Sequence, residues 1–316
     1  ATPVSEMDVD ITGLAQMNYQ WSQMQGADDE LDIARLRLNI AAQPAENVAF
    51  NGEIEISDNQ QGTPDNRIVE AYADLTYLDW MTARIGQFAL PNSYELNTPE
   101  FELETIEYSM GVGAFGVRDR GIMVFGQPLP EFGWNLMVMN GNGTIDGAMN
   151  DTDDASEYGL QLDWNPIIDE DNHNLSFKFW GRMADEAVAT TAGAMNDEYD
   201  AFGLGVDYSY CGFHLFGEYN TADSDNTPSD DEIDEYLINV SYLIPETDVQ
   251  LVARYNDWEM EDGATGNSTE RDETTLGFNW DFEKNARLQV MYKINDTNTA
   301  GVDDENELDV MLGLRF

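Results

Sequence analysis

ELDVMLGLRF (307–316) ends the chain and decides how the rest of it is interpreted. Apolar residues occupy every second position of this stretch, which is typical of a β-strand with one apolar and one polar face. The alternation continues to the last residue, Phe316, whereas the ends of soluble domains usually fray. We therefore expect this strand to be held by a partner strand up to its final residue.

The same alternation recurs along nearly the whole chain, and helical periodicity is almost absent. It begins in VDITGLAQMNYQW (9–21), where the odd positions are mostly apolar and the even ones mostly polar. Together with the terminal strand, the segments that share this pattern predict sixteen strands, an even number. The other segments are 34–40, 47–57, 68–77, 82–88, 119–126, 133–141, 157–164, 174–183, 200–210, 213–220, 235–244, 248–257, 274–282 and 286–295.

The connections between these strands alternate in length. Those after even-numbered strands are short, as in AQPAE (42–46) and YCG (210–212). Those after odd-numbered strands are mostly longer and acidic; examples are 143–156, 222–234, 258–273 and 296–306. Short periplasmic turns and long extracellular loops are typical of an up-and-down transmembrane barrel. In such a barrel the last strand pairs with the first, so that no open edge lies in lipid.

One face of the predicted strands is apolar, with Tyr and Trp near the strand ends, as in an aromatic girdle at a lipid interface. A soluble β-sandwich or propeller would also alternate and stays an alternative. We predict an all-β fold: one 16-stranded antiparallel transmembrane β-barrel domain over residues 1–316, in the outer membrane of a Gram-negative (diderm) bacterium. The start, ATPVSEMDVD (1–10), suits a mature chain after signal-peptide removal. Phe316 and the apolar residues of the last strand are expected to face lipid, and Asp309, Met311 and Arg315 the water inside.

The charge balance is extreme, with 14 Lys and Arg against 62 Asp and Glu and a formal net charge of −48. Nucleic acid is therefore not an expected partner, because phosphate binding needs clustered basic residues. Weak Ca²⁺ or Mg²⁺ binding at the acidic stretches 151–157, 223–235 and 303–307, or bridging to lipopolysaccharide, stays open. The preferred interpretation is that the carboxylates of these stretches are solvated and hold no metal ion. No metal site and no cofactor are predicted, and the single cysteine, Cys211, excludes an internal disulfide.

Several stretches resemble the phosphate-selective porin O and P family. They are TARIGQFALPNSYEL (82–96), VRDRGIMVFGQ (117–127), WNLMVMNGNG (134–143), DVQLVARYNDWE (248–259) and TTLGFNWDFEKNARLQVMY (274–292). The resemblance implies a sixteen-stranded outer-membrane barrel, commonly trimeric, that passes small solutes. It also implies that a long third extracellular loop folds into the lumen and that basic side chains line the route of anions.

The corresponding loop here is 89–117, the probable constriction loop. It is acidic and contains no Lys or Arg, which argues against phosphate selectivity. Its candidate site residues are Glu95, Glu100, Glu102, Glu104 and Glu107.

Nine basic residues fall on the inward phase of a strand, which a water-filled lumen explains. They are Arg35, Arg37, Arg84, Lys178, Arg182, Arg254, Arg287, Lys293 and Arg315. A sharper hypothesis is that some of them face the acidic loop across the lumen and create a transverse field. The best candidates are Arg35, Arg37 and Arg84, whose strands are near the loop in sequence. Arg118 and Arg120, which follow the loop, and the inward Arg254 and Arg287 complete the predicted basic set.

Inward carboxylates make the predicted lumen net negative, which favours small cations. They are Asp8, Asp10, Glu53, Glu55, Glu70, Asp74, Glu157, Asp163, Asp207 and Glu218. The leading functional hypothesis is a porin for passive diffusion of ions and small hydrophilic solutes, cation-preferring. The alternatives are an anion- or phosphate-selective channel that uses the inward arginines, and a barrel that anchors a surface layer or an exported partner through its acidic loops.

No enzyme is predicted. GVGAFG (111–116) has the GxGxxG spacing of a phosphate-binding loop, but a strand follows it where that mechanism requires a helix. The two histidines, His173 and His214, lie outside any GxSxG context. The sequence alone leaves open whether a hydroxyl that faces the lumen lies beside His214 and acts with it as a nucleophile.

Overall fold

The computed structural model describes residues 8–23, 30–57, 67–112, 115, 118–140, 156–169, 173–185, 198–226, 229–262, 267–297 and 306–316. These residues form sixteen strands and one short helix. The strands are β1 (Asp8–Ser22), β2 (Glu30–Ala45), β3 (Val48–Glu55), β4 (Ile68–Leu78), β5 (Met81–Ala89), β6 (Arg118–Leu129), β7 (Phe132–Met139), β8 (Glu157–Asp169), β9 (His173–Asp185), β10 (Glu198–Tyr210), β11 (Phe213–Asn226), β12 (Ser229–Leu243), β13 (Val249–Asp262), β14 (Asn267–Glu283), β15 (Ala286–Thr297) and β16 (Asn306–Arg315); the helix is α1 (Tyr94–Asn97).

The strands close into one antiparallel barrel in which each strand pairs with its sequence neighbours and β1 pairs with β16. The closing register runs from Trp21 opposite Leu308 to Leu14 opposite Arg315. Beyond it, the Gly13 amide donates to the Phe316 carbonyl at 2.7 Å, and the Phe316 amide donates to the Gly13 carbonyl at 3.1 Å. The predicted closure by the last strand is confirmed, and the chain is hydrogen-bonded up to its final residue.

Gly13 lies against the Phe316 ring. A Cβ atom at position 13 would lie 2.3 Å from the ring, well inside contact distance. The ring thus rests on the outer surface of β1, as expected for a terminal aromatic on the lipid side.

The outer surface of the barrel is apolar, as the alternation predicts. Leu136, Ile122 and Leu204 are each about half exposed although they are large and apolar. A continuous surface of this kind is stable in lipid, where the barrel satisfies its own backbone hydrogen bonds. Among the described residues, no helix is long and apolar enough to cross a membrane.

Two of the predicted acidic loops are largely strand. β11 and β12 are separated only by 227–228, and β13 and β14 only by 263–266, so most of 222–234 and 258–273 belongs to paired strands. The pattern concealed this because a hairpin that stands in water has polar residues on both faces and loses the apolar alternation. Segments 143–156 and 296–306 lie mostly outside the described residues.

The third loop, 89–117, lies inside the barrel, as predicted. Its apolar side chains are buried against inward residues of the wall. Ile106 packs with Val252, Met291 and Met311, and the Phe115 ring lies 5.9 Å from that of Trp180. The lumen on the β11–β16 side is therefore filled by the loop.

This packing corrects one expectation about the last strand. Asp309 and Met311, predicted to face water, are 0% and 1% exposed. Met311 is covered by the loop, and Asp309 lies 3.0 Å from Lys293. Arg315, by contrast, remains exposed near the end of β16.

Candidate pore constriction

Each of the five predicted loop glutamates contacts a basic side chain or a histidine of the barrel. The pairs are Glu95 with Arg254 (3.1 Å), Glu100 with Arg37 (2.5 Å) and Arg118 (3.3 Å), Glu102 with Arg315 (2.9 Å), Glu104 with His214 (2.9 Å) and Glu107 with Lys293 (2.6 Å). These partners lie on β2, β6, β11, β13, β15 and β16. The loop is therefore tied to the wall at several points around the barrel.

The deepest of these contacts is centred on Arg254 of β13. Its Nη1 atom donates to Glu95, to the Thr105 hydroxyl at 2.8 Å and to the Glu107 carbonyl at 2.8 Å. Its Nη2 atom donates to Glu273 on the neighbouring strand at 2.7 Å. One guanidinium thus holds the first limb of the loop, at Glu95, and the returning limb, at Thr105 and Glu107. Its charge is balanced by two carboxylates.

A second cluster joins the loop to β2, β3 and β6. Arg37 contacts Glu100, Glu53 at 2.9 Å and Glu55 at 2.9 Å, while Arg118 reaches Glu100 from β6. Burial alone would raise the pKa of the Glu100 carboxyl, but Arg37 and Arg118 together lower that pKa to about 2. The Glu100 carboxylate is therefore ionised throughout the neutral and mildly acidic range.

Arg35 takes part in this cluster indirectly. Its Nη1 atom donates to the Gln16 side chain at 2.9 Å, and Gln16 in turn donates to the Glu100 carbonyl at 3.4 Å. Arg118 extends the cluster on the other side, with its Nε atom 3.6 Å from Glu70.

His214 of β11 lies between two carboxylates. Its Nδ1 atom is 2.9 Å from Glu104, and its Nε2 atom is 2.7 Å from Asp207. Both ring nitrogens therefore contact acidic groups. Burial raises the pKa of Glu104, but His214 together with the Ser241 and Gln250 donors, each at 2.6 Å, holds it below its usual range.

Three of the predicted arginines contact the loop differently or not at all. Arg84 pairs with Asp74 on β4 at 2.8 Å, stacks 3.8 Å from the Tyr72 ring and, among the described residues, contacts no loop glutamate, so its role opposite the loop stays a prediction. Arg120 donates to Gln87 at 3.0 Å and, in the part of the chain that the structure describes, also contacts no loop glutamate. Arg287 pairs with Asp281 and donates to loop carbonyls, those of Phe101 at 3.0 Å and Leu103 at 3.3 Å.

The transverse-field hypothesis also needs correction. For Arg37, Arg118 and Arg254, the opposite charges meet in direct contact and do not face each other across an open lumen. Charges in contact cancel at a distance, so these pairs fix the loop more than they polarise the passage.

Lys293, Arg315 and His214 hold the loop but were not among the predicted constriction residues. The sequence signal was available for the first two, because both fall on the inward phase of their strands. Proximity in sequence favoured arginines of β2 and β5, whereas a loop inside a closed barrel also reaches strands at the far end of the chain.

The glycine-rich stretch 111–116 also has a structural explanation. The Gly111 amide donates to the Glu235 carboxylate at 2.9 Å, and a Cβ atom at position 111 would lie 2.5 Å from the carboxyl carbon. Glycine is therefore required here by a close approach to the wall. Residues 113, 114, 116 and 117 lie outside the described part of the chain.

Two cavities with charged side chains in their lining flank the loop where it does not fill the lumen. The larger, about 590 Å³, lies between Tyr94 of the loop and the β5–β9 wall, and Asp163 and Lys178 are among its lining residues. The other, about 430 Å³, is lined by Arg37, Glu53 and Glu100 among others. Hydrophilic space next to an inward loop, inside a lipid-facing barrel, is the geometry of an outer-membrane diffusion channel.

Comparison of the chain with known protein families supports its assignment to this class. Residues 2–300 match the family model described as Gram-negative porin, and the chain belongs to that family. No curated protein matches the chain. The chain is therefore an outer-membrane porin-type channel for passive diffusion.

Similar solved structures share the architecture at low sequence identity. In-vitro folded OmpT of Vibrio cholerae is 14% identical, with 100% of both chains covered and a TM-score of 0.69. The outer membrane channel DcaP of Acinetobacter baumannii is 14% identical, with 99% and 98% covered and a TM-score of 0.68. Salmonella typhi OmpF, solved in complex with daunomycin, is 13% identical, with 98% and 97% covered and a TM-score of 0.65. At this identity the likeness concerns the fold.

Proposed function

We propose that this porin is a general diffusion channel for ions and small hydrophilic solutes that prefers cations. The observation that carries the preference is the state of the inward arginines. Arg37 contacts three carboxylates, and Arg254 contacts two. The adjacent carboxylates neutralise these guanidinium charges, so the two arginines attract a passing anion only weakly.

The same observation argues against the alternative of an anion- or phosphate-selective channel. Phosphate recognition by arginine depends on guanidinium groups that are free to donate two parallel hydrogen bonds. The matched family is the broader Gram-negative porin family. The narrower resemblance to phosphate-selective porins O and P stays a prediction.

We further propose that the protein has no enzymatic activity and no cofactor. His214 is the strongest catalytic candidate, and its two ring nitrogens face Glu104 and Asp207. A serine nucleophile needs a ring nitrogen free to accept its proton. Weak Ca²⁺ or Mg²⁺ binding at the acidic stretches stays a prediction, since 151–155 and 303–305 lie outside the described residues.

A homotrimer is the proposed assembly, embedded in outer-membrane lipid and lipopolysaccharide. OmpT of Vibrio cholerae has been solved in a trimer form. In the present chain, several small side chains lie among larger exposed apolar ones, such as Phe50 and Ile85, on the outward face of β2–β5, and this apolar surface is suited to contact with another barrel. The small residues are Ala42, Gly52, Ala71, Ala73 and Ala83.

Planar bilayers and proteoliposomes test the channel function. The folded protein, identified by its heat-dependent shift on a gel, is expected to give stable ohmic current steps in planar bilayers. In proteoliposomes it should admit small neutral sugars. A folded barrel that inserts but carries no current, and that retains a bound partner through detergent extraction, would favour the alternative of an anchor for a surface layer or an exported protein.

A further inference from the structure

The inward carboxylates of the wall differ in whether a positive group already compensates them. Glu53 contacts Arg37, Asp74 contacts Arg84, and Asp207 contacts His214. Other pairs are Glu70 with Arg118, Glu157 with Arg182 and Asp309 with Lys293. An ion in the lumen meets these carboxylates together with their counter-charges.

Asp163 of β8 is an exception. In the part of the chain that the structure describes, its carboxylate has no ion-pair partner. Its hydrogen bonds come from the Gln161 side chain, whose Nε2 atom donates to the two carboxylate oxygens at 2.8 and 2.7 Å. A neutral amide orients the carboxylate and leaves its full negative charge in place.

The basic residue opposite Asp163 interacts with it electrostatically but forms no ion pair with it among the described residues. Lys178 lies directly opposite Asp163 in the β8–β9 register. Its Nζ atom donates to the Ser93 carbonyl at 3.2 Å and lies 4.7 Å from the centre of the Tyr94 ring. Lys178 is only 7% exposed, so its ammonium group serves to hold the start of the third loop.

Asp163 is also placed where solutes have room to move. It lines the cavity of about 590 Å³ between the loop and the wall, together with Tyr94, Asn135 and Ser176. The Tyr94 hydroxyl contacts the Ser176 hydroxyl, which fixes the loop side of this cavity. A cation in the cavity therefore meets a carboxylate that is not in an ion pair, while the Lys178 ammonium group is bonded to the Ser93 carbonyl.

From this geometry we infer that Asp163 is the main specificity-determining residue of the channel and that small monovalent cations are the solutes it favours. The inference rests on the proposed diffusion function. The loop glutamates are less suited to this role, because each of them already has a partner on the wall. A passing cation is stabilised next to Asp163, and an anion is repelled there.

Reversal potentials in planar bilayers under a KCl gradient test this inference. Asp163→Asn is expected to lower the potassium-to-chloride permeability ratio about tenfold, because the loss of a unit charge about 6 Å from the ion in water changes each permeability about threefold in opposite directions. Asp163→Ser should give a similar loss, and Asp163→Glu should keep most of the ratio. The matched control is Asp248→Asn, the same change in an exposed periplasmic turn, which should leave the ratio unchanged.

The outcomes separate this inference from the function on which it rests. Equal ratios for wild type, Asp163→Asn and Asp248→Asn in conducting channels would overturn the role of Asp163 and leave the channel function intact. Equal decreases in both variants would overturn it as well, since overall charge would then govern selectivity. A folded wild-type barrel without conductance would overturn the proposed function itself.

Discussion

Arg254 of β13 and Glu95 of the third loop form an ion pair of 3.1 Å in which the two side chains are 1% and 2% exposed. Glu95 lies in α1, a helix of four residues capped by the Ser93 hydroxyl, which accepts from the Glu95 amide at 3.1 Å. The same carboxylate accepts from the Ser109 amide at 2.6 Å on the returning limb of the loop. This contact joins both limbs of the loop to the barrel wall at one point.

Replacing Arg254 with methionine should release the loop. Breaking a buried pair by removing one partner costs about 3–5 kcal/mol, because it leaves a buried charge without compensation. Here the loop can move into water instead, so we expect higher and noisier single-channel conductance. Single-channel recording checks this. Arg84→Met is the control, since Arg84 pairs with Asp74 of the wall and should leave the conductance steady.

Gly111→Ala should disturb the loop on its returning limb. The new Cβ atom would lie 2.5 Å from the Glu235 carboxyl carbon, so either the loop or Glu235 must move. We expect faster cleavage of the loop by an added protease in folded protein. Adding Glu235→Ala removes the obstruction and should restore much of the protection; equal cleavage of the single and double variants would contradict this explanation.

The Glu100 contact predicts a response to acid. The pKa of the Glu100 carboxyl in the folded protein, about 2, lies below the ordinary value of about 4.3. The ion pair therefore stabilises the loop in full when the pH is above about 4.3. This contribution is lost as the pH falls from about 4 toward about 2. Protease protection of the loop should show a step in that range, and Glu100→Gln should make the step smaller; the Glu104 and Glu107 carboxyls, whose pKa values are also lowered, account for the remainder. A step of the same size in both proteins would assign it to another group.

The lipid-facing assignment can be tested with two adjacent residues. Leu136 is 48% exposed on the outer face, and Asn135 lines the lumen cavity. Leu136→Arg should lower the free energy of unfolding in lipid vesicles by about 2–4 kcal/mol, whereas Asn135→Arg should have a much smaller effect. Denaturant unfolding followed by tryptophan fluorescence measures both. Similar losses for the two variants would contradict the assignment.

The barrel itself was readable from the sequence because each strand in lipid carries its own alternating pattern. The closure by ELDVMLGLRF (307–316) and the inward third loop follow from that pattern and from the resemblance. The extended hairpins of β11–β14 were missed, since strands with water on both faces lose the alternation.

The contacts of the constriction could be predicted from the sequence only in part, for a different reason. Arg37, Arg118 and Arg254 were named from the inward phase and from the basic residues that follow the loop, and each meets a loop glutamate. Which glutamate meets which base depends on the path of the loop through the lumen. That path brings Glu107 to Lys293, a residue 186 positions away in sequence, and leaves Arg84 with Asp74.

The sign of the reversal potential of the wild-type channel under a KCl gradient tests the central claim most directly. The loop contains no basic residue, Arg37 and Arg254 contact carboxylates, and Asp163 has no ion-pair partner among the described residues. We therefore predict a potential of the sign that reports preference for potassium over chloride. A potential of the opposite sign, reporting preference for chloride, would contradict the account and favour an anion channel built on the inward arginines.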